Sequence, residues 1–178
     1  MSFENLLSTE RIYDGKVVGL RVDSVALPNG RIALREVVDH RDAVVVVPID
    51  VDGYVVLVRQ YRYPIGVDLL EAPAGMVEES ESPRECARRE LQEEIGFSAK
   101  SMGRMGKFWT TPGFCNELMH AFIARELFPS NLEPDPDEHI AVERFPVTDI
   151  PDLIRSGEIQ DGKTIAALLM ATCLGYYD

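Results

Sequence analysis

An α/β chain of the mixed (α+β) kind, with strands inside and helices packed outside them, is the fold class the sequence predicts. Three observations carry it. Residues 43–50, "AVVVVPID", form an unbroken β-branched run of the kind that makes a strand buried on both faces. A helix is signalled from Ser82 by a capping box, and two further helical segments close the chain. A length of 178 residues fits one domain, or two small lobes, with enough chain to bury a core.

The elements follow in order. Residues 10–38 alternate as strands do, and "KVVGLRVDSVALPNGRIALREVV" reads as a hairpin turning at "PNG". The 43–50 run is the next strand, and "DGYVVLVRQYRY" (52–63) is expected to be its neighbour across the Asp52–Gly53 turn. "PIGVDLLEAPAG" reads as a loop. Ser82-Pro83-Arg84-Glu85 then combines a capping box with proline at the first helical position, and Gly96 is placed to end the helix. Ala87, Leu91 and Ile95 recur at helical spacing and form its buried stripe. "KFWTTPGF" reads as a loop, "LMHAFIAREL" as a strand, "PSNLEPDPDEHI" as an acidic loop and "AVERFPV" as a strand. "TDIPDLIRSGEI", capped by Thr148, and "DGKTIAALLMATCLGYY" read as helices. There is no internal repeat or low-complexity tract.

Composition narrows the function. Hydrophobic residues make up 46% and charged residues 27%, as in ordinary soluble proteins. A net charge of −12 argues against a nucleic-acid backbone or an anionic membrane as partner. An anionic substrate would need a cation between it and this chain. Cys86, Cys115 and Cys173 are widely spaced and fit no zinc pattern, so reduced thiols are expected. No apolar run is long enough to span a bilayer, and the first residues lack the blocks of a signal peptide. The expected location is the cytoplasm.

The segment Gly75 to Phe97 holds seven glutamates. Glu90 and Glu94 are four apart on the helix and Glu93 lies beside them, so three carboxylates share one rim. Arg89, four before Glu93, offsets part of their repulsion. A solvated acidic face is the ordinary meaning of such a cluster; hard divalent cations, which take oxygen ligands, are the functional one.

The spacing decides between them. Gly75, five residues, Glu81, seven residues, then Arg89-Glu90-Leu91-Gln92-Glu93-Glu94-Ile95-Gly96-Phe97 resembles the Nudix box at every specified position. The resemblance implies an α/β/α sandwich with a mixed sheet. It also implies hydrolysis of a nucleoside diphosphate linked to another group, with Mg2+ or Mn2+ as cofactor. Glu90, Glu93, Glu94 and the carbonyl of Ala74 are implied metal ligands, Glu93 also as a catalytic residue, and Arg89 the group that orients the glutamates. Glu81 is implied to shape the turn into the helix. Upstream "VRQYRYPIGVDLLEAPAGMVE" and downstream "TTPGFCNE" resemble the ADP-ribose pyrophosphatase branch, with Pro112 at the branch's proline position. The branch implies a nucleotide-sugar substrate, cleaved to AMP and ribose 5-phosphate in the case of ADP-ribose. It also implies a homodimer that exchanges N-terminal strands. Residues 1–42 are accordingly expected to be a β-rich extension and residues 43–178 the catalytic domain.

Carboxylates committed to metal are poor bases, because the cation favours their ionised form. The branch implies a base in the acidic loop, and Glu138 aligns with it; Glu133, Asp135 and Asp137 are neighbours that compete for the role. Substrate contacts are expected from Arg35, Arg59, Arg62 and Glu71. A forked guanidinium suits phosphate or carboxylate, and a surface ion pair is the plain alternative for each. Tyr13, Tyr61, Phe108, Trp109 and Phe114 are eligible to stack a base, although aromatics more often build a core. His40, His120 and His139 are read as structural or surface, and Cys115 as a small buried residue. Two other functions compete: a Nudix hydrolase preferring another nucleoside diphosphate derivative, and a non-catalytic ADP-ribose sensor.

Overall fold

The computed structural model describes residues 3–133 and 139–177. Its strand at the centre is the β-branched run: β4 (Ala43–Pro48) is buried at all six positions. Successive side chains point to opposite faces of a strand, and here each face has its own helix. Val44 and Val46 pack with Cys86, Ala87 and Leu91 of the helix Pro83–Glu94 and with Ile95 just after it. Ala43, Val45 and Val47 pack with Ala167, Leu168 and Ala171 near the C-terminus. The sandwich thus follows from a sequence with no polar residue in that strand.

The chain divides into two units, Met1–Asp42 with Trp109–Leu118, and Ala43–Phe108 with Met119–Asp178. The first contains a three-stranded antiparallel sheet of β1 (Asn5–Asp14), β2 (Val18–Ala26) and β3 (Ile32–His40), in that order. The "PNG" hairpin joins β2 to β3 as expected, pairing Ala26 with Ile32 and Val18 with His40. Every residue of β1 is exposed within this chain, including Leu6, Leu7, Ile12 and Tyr13. The 109–118 segment joins β3 through hydrogen bonds from Val38 N to Phe114 O and from Asn116 N to Val38 O.

In the second unit, β4 lies in a mixed sheet ordered β7 (Ala74–Met76), β4, β9 (Leu118–Pro129), β8 (Phe97–Trp109), with β4 and β9 parallel. A second sheet is ordered β10 (Ile140–Pro146), β5 (Tyr54–Arg62), β6 (Val67–Glu71). The expected pairing of 52–63 with 43–50 does not form. Both edges of β4 are taken by β7 and β9, and β5 meets that strand only at an Ile49–Val55 bridge. The stretch read as the loop "PIGVDLLEAPAG" carries β6 and β7, separated around Pro73, which has no N–H to donate. β8 was hidden by Gly103 and Gly106, which interrupt its alternation.

Three helices complete the unit: α1 (Pro83–Glu94), α2 (Ile150–Ser156) and α3 (Gly162–Cys173). The capping box of α1 is present in both directions: Glu85 N donates to Ser82 Oγ at 3.3 Å and Ser82 N to Glu85 Oε2 at 2.8 Å. Gly96 follows with φ of +73°, the left-handed conformation that ends helices. Thr148 does not cap α2. A 3₁₀ turn at Val147–Asp149 intervenes, and the Thr148 hydroxyl bonds the Asp149 carboxylate instead. No helix among the described residues is long and apolar enough to cross a membrane.

Candidate active site

Helix α1 is placed by its apolar stripe, and Glu90 and Glu94 lie at the flank of that stripe and are buried with it. Arg89 sits at the centre of the acidic rim. Its Nη1 donates to Glu90 Oε1 at 2.7 Å and to Glu93 Oε2 at 2.8 Å, and its Nη2 to Glu81 Oε1 at 2.7 Å and to the Met76 carbonyl at 3.1 Å. One guanidinium therefore gathers three carboxylates and the β7 backbone. Hydrogen bonding to Glu81, with Glu90 and Glu93 adding theirs, holds the arginine above its usual pKa. Glu81 itself is tied to the turn through Glu78 N at 3.0 Å. Burial pushes the Glu81 carboxyl up, but Arg89 and the turn amide outweigh it and hold the pKa below normal.

The loop before the helix is fitted to the same carboxylates. A side chain on Gly75 would collide with the Glu90 carboxylate, so the box glycine is needed for the close approach of backbone to Glu90. Ala74 N donates to Glu94 Oε2 at 3.3 Å. Among the described residues, no three acidic, histidine or cysteine side chains already converge on one ion position. The donors on the rim are nonetheless of one chemical kind, carboxylate oxygens, which suit a hard divalent cation. Arg89 occupies Glu90 and Glu93 in this arrangement, while Glu94 lines an open cleft.

That cleft encloses about 550 Å³ and is lined by Arg59, Asp68, Glu93, Glu94, His139, Ile140 and Ala141. Arg59 donates to Glu143 at 2.5 Å and to Glu158 at 2.6 Å, which hold it well above its ordinary pKa. Arg62 is three residues on, so it leaves the opposite face of β5. It makes a two-pronged bond to Glu71, 2.7 Å on each oxygen. Of the two partners a forked guanidinium suits, phosphate or carboxylate, both arginines are on carboxylates here.

Glu71 is almost fully buried, with 1% exposure. Burial raises its pKa, but Arg62 and Lys163 more than offset this and hold it low. Lys163, at the start of α3, bonds Glu71 and also Asp161 Oδ2 at 3.0 Å. Asp161 in turn accepts Thr164 N at 2.9 Å, capping α3, and the Thr164 hydroxyl accepts from Ala72 N at 2.8 Å. The first turn of α3 thus grips residues 71 and 72, just ahead of Ala74.

Of the expected site residues, Ala74, Arg89, Glu90, Glu93 and Glu94 form one cluster, Arg62 and Glu71 a second, and Arg59 lines the cleft. Arg35 and Pro112 belong to the N-terminal unit: Arg35 forks onto Glu4 at 2.6 and 3.0 Å, and Pro112 stands in an exposed loop. Glu138, Asp135 and Asp137 lie outside the described residues. Phe108 packs into the core, while Tyr13, Tyr61, Trp109 and Phe114 are exposed. Cys115 is only partly buried, unlike the reading made of it. Asp68 and His139 of the cleft, and Asp161 and Lys163 of the second cluster, carry no signal in the sequence that marks them. His139 was set aside for lack of a partner, and Lys163 looked like the start of an apolar helix.

Comparison with known proteins places the family. Residues 39–168 match the NUDIX domain, and residues 4–38 match the nucleoside diphosphate sugar hydrolase N-terminal domain. An ADP-ribose pyrophosphatase of Bacillus subtilis (strain 168) is 39% identical over 167 residues, covering 93% of this chain and 90% of the relative. A methanol dehydrogenase activator of Bacillus methanolicus is 38% identical, with the same coverage of each. A crystal structure of an ADP compounds hydrolase matches with a TM-score of 0.89 and 26% identity, covering 96% of this chain and 93% of that one. Fold and site together define a diphosphate hydrolase. The chain belongs to the Nudix family, and the expected layered fold with its β-rich N-terminal extension is borne out.

Proposed function

We propose that the protein hydrolyses ADP-ribose to AMP and ribose 5-phosphate, using Mg2+ or Mn2+. The observation that carries this reading is the Glu90, Glu93 and Glu94 rim of α1 beside a cleft walled by Arg59. Two relatives of nearly equal identity bear different names, so identity alone does not select the substrate. Diphosphate chemistry fits the site better than any alternative: an acidic rim for cations, and guanidinium groups for phosphate oxygens.

Glu90, Glu93, Glu94 and the Ala74 carbonyl are the proposed holders of the cation. When bound, such a cation neutralises diphosphate oxygens and acidifies a water. The chain's own contributions are positional. Arg89 keeps the glutamates in register on the helix. Arg62, seated on Glu71, and Arg59 orient phosphate groups. Glu138 is the proposed base, with Arg35 and Pro112 on the substrate side. A homodimer is proposed too, since the exposed apolar residues of β1 offer a surface for a second copy of the chain. The free thiols of Cys86, Cys115 and Cys173 suit a reducing compartment, and the cytoplasm is proposed.

Product analysis by chromatography tests the assignment. The protein is incubated with ADP-ribose, GDP-mannose, ADP-glucose, a dinucleotide and 8-oxo-dGTP, each with magnesium or with chelator. AMP released fastest from ADP-ribose, and only with metal, is the expected result. Faster cleavage of another compound moves the specificity within the family. Tight ADP-ribose binding without any cleavage makes the protein a sensor and overturns the reading.

A further inference from the structure

We propose that Lys163 is a positioning residue for Arg62: by sharing Glu71, it lets that carboxylate hold the arginine without cancelling its charge. The inference rests on the diphosphate reading of the site given above. Glu71 is buried and takes both N–H prongs of Arg62 at 2.7 Å. A carboxylate bonded to one arginine alone makes a neutral pair, which attracts an anion weakly. Lys163 adds a second cation to Glu71 Oε2, so that Arg62, Glu71, Lys163 and Asp161 together are neutral, whereas without the lysine they would carry one negative charge.

Asp161 also touches Lys163, at 3.0 Å, and its charge is felt at Arg62 as well. It accepts the Thr164 amide and lies at the N-terminus of α3, where the helix dipole compensates a negative charge. With Lys163 in place, no net negative charge therefore stands behind Arg62 to repel an anion. Arg62 is 37% exposed, and Glu71 takes only two of the five N–H groups a guanidinium carries. It also lies within electrostatic reach of Glu94 on the acidic rim. An arginine so placed has donors to offer a diphosphate oxygen beside the glutamates. Lys163 bonds Glu71 Oε2, the oxygen that also accepts from Arg62 Nη2, and acts through it.

The test compares Lys163→Met, Lys163→Arg and Thr164→Val. The methionine keeps the apolar stem without the charge; the valine breaks the Thr164 hydroxyl's bonds to Ala72 N and Asp161 Oδ2 at the same helix start and keeps every charged group. Equilibrium binding of ADP-ribose is measured by calorimetry in EDTA, alongside kcat and KM with magnesium and the thermal midpoint. Lys163→Met is expected to weaken metal-free binding by about tenfold. It should raise KM by a like factor and change kcat little, while Lys163→Arg restores binding. Thr164→Val should lower the midpoint and leave binding as in wild type. Wild-type affinity in Lys163→Met, or equal binding losses in Lys163→Met and Thr164→Val, overturns the proposal. If wild type neither binds nor cleaves ADP-ribose, the substrate assignment fails by itself. The same three variants then decide the role of Lys163 with GDP-mannose or ADP-glucose, whichever the wild type cleaves.

Discussion

Two charged clusters flank the short segment from Glu71 to Met76, and they are built on opposite plans. Around Arg89, one cation serves three glutamates, Glu81, Glu90 and Glu93, with Glu94 close by on the same helix. Around Glu71, two carboxylates meet two cations, and the central carboxylate is buried. The first cluster is short of positive charge and partly open to the cleft; the second is balanced and closed around its buried carboxylate, with Arg62 reaching the surface. A surplus of carboxylates is unfavourable for the empty protein and becomes favourable only when a cation arrives. A balanced buried network fixes geometry whether or not anything is bound. Binding capacity and rigidity are thus assigned to neighbouring clusters a few residues apart.

The largest effect should come from the open cluster. Glu94→Gln is expected to lower kcat by more than about a hundredfold, since even partners one layer behind a metal cost up to that much. The thermal midpoint should stay near that of wild type. Near-normal turnover at saturating magnesium would remove Glu94 from the cation site and blur the contrast between the clusters.

The closed cluster should answer in stability. Glu71→Ala strands Arg62 and Lys163 without their shared carboxylate and is expected to cost about 3 kcal/mol in urea unfolding at neutral pH. The pH dependence follows from the lowered pKa of Glu71. A carboxyl depressed below its unfolded value of 4.5 stabilises fully above that value, and loses the contribution as pH falls through the lower folded value. The gap between wild type and Glu71→Ala should therefore be constant at neutral pH and shrink below about 4.5. A gap unchanged in acid would mean the carboxylate charge is not what holds the network.

The smallest effect is expected at Arg89. Lysine cannot fork to three carboxylates, so Arg89→Lys should cost about 1.5 kcal/mol in EDTA. Magnesium should recover part of that loss, because the cation takes over neutralisation of the glutamates. Equal losses with and without magnesium would show the arginine and the cation acting at separate places.

The open cluster was legible in the sequence because its members lie within one helix and the turn before it. Local spacing carries such information: Ser82 and Glu85 fix where α1 starts, and the apolar stripe fixes which face Glu90 and Glu94 occupy. The closed cluster was not legible as a whole. Glu71 and Lys163 are separated by 92 residues, and no local rule pairs them. β4 was readable from its β-branched run, whereas its partners were not, since propensity does not choose among edges. β9, not the adjacent β5, took one edge, and β7 emerged from a stretch whose Pro73 and Gly75 look like loop. Gly75 could be read as a turn residue, but the reason for it, room for the Glu90 carboxylate, needs the folded chain.

The parallel pairing of β4 with β9 has a consequence for how the protein comes off the ribosome. Ala43 pairs with Met119, and the other face of β4 waits for α3, which begins only at Gly162. Contacts this distant in sequence are slow to form, because a long loop must close before any of them is rewarded. During synthesis, the valines of β4 are therefore made well before the strand and the last helix that cover them. This most apolar stretch of the chain is also its point of greatest aggregation risk in a truncated or stalled product.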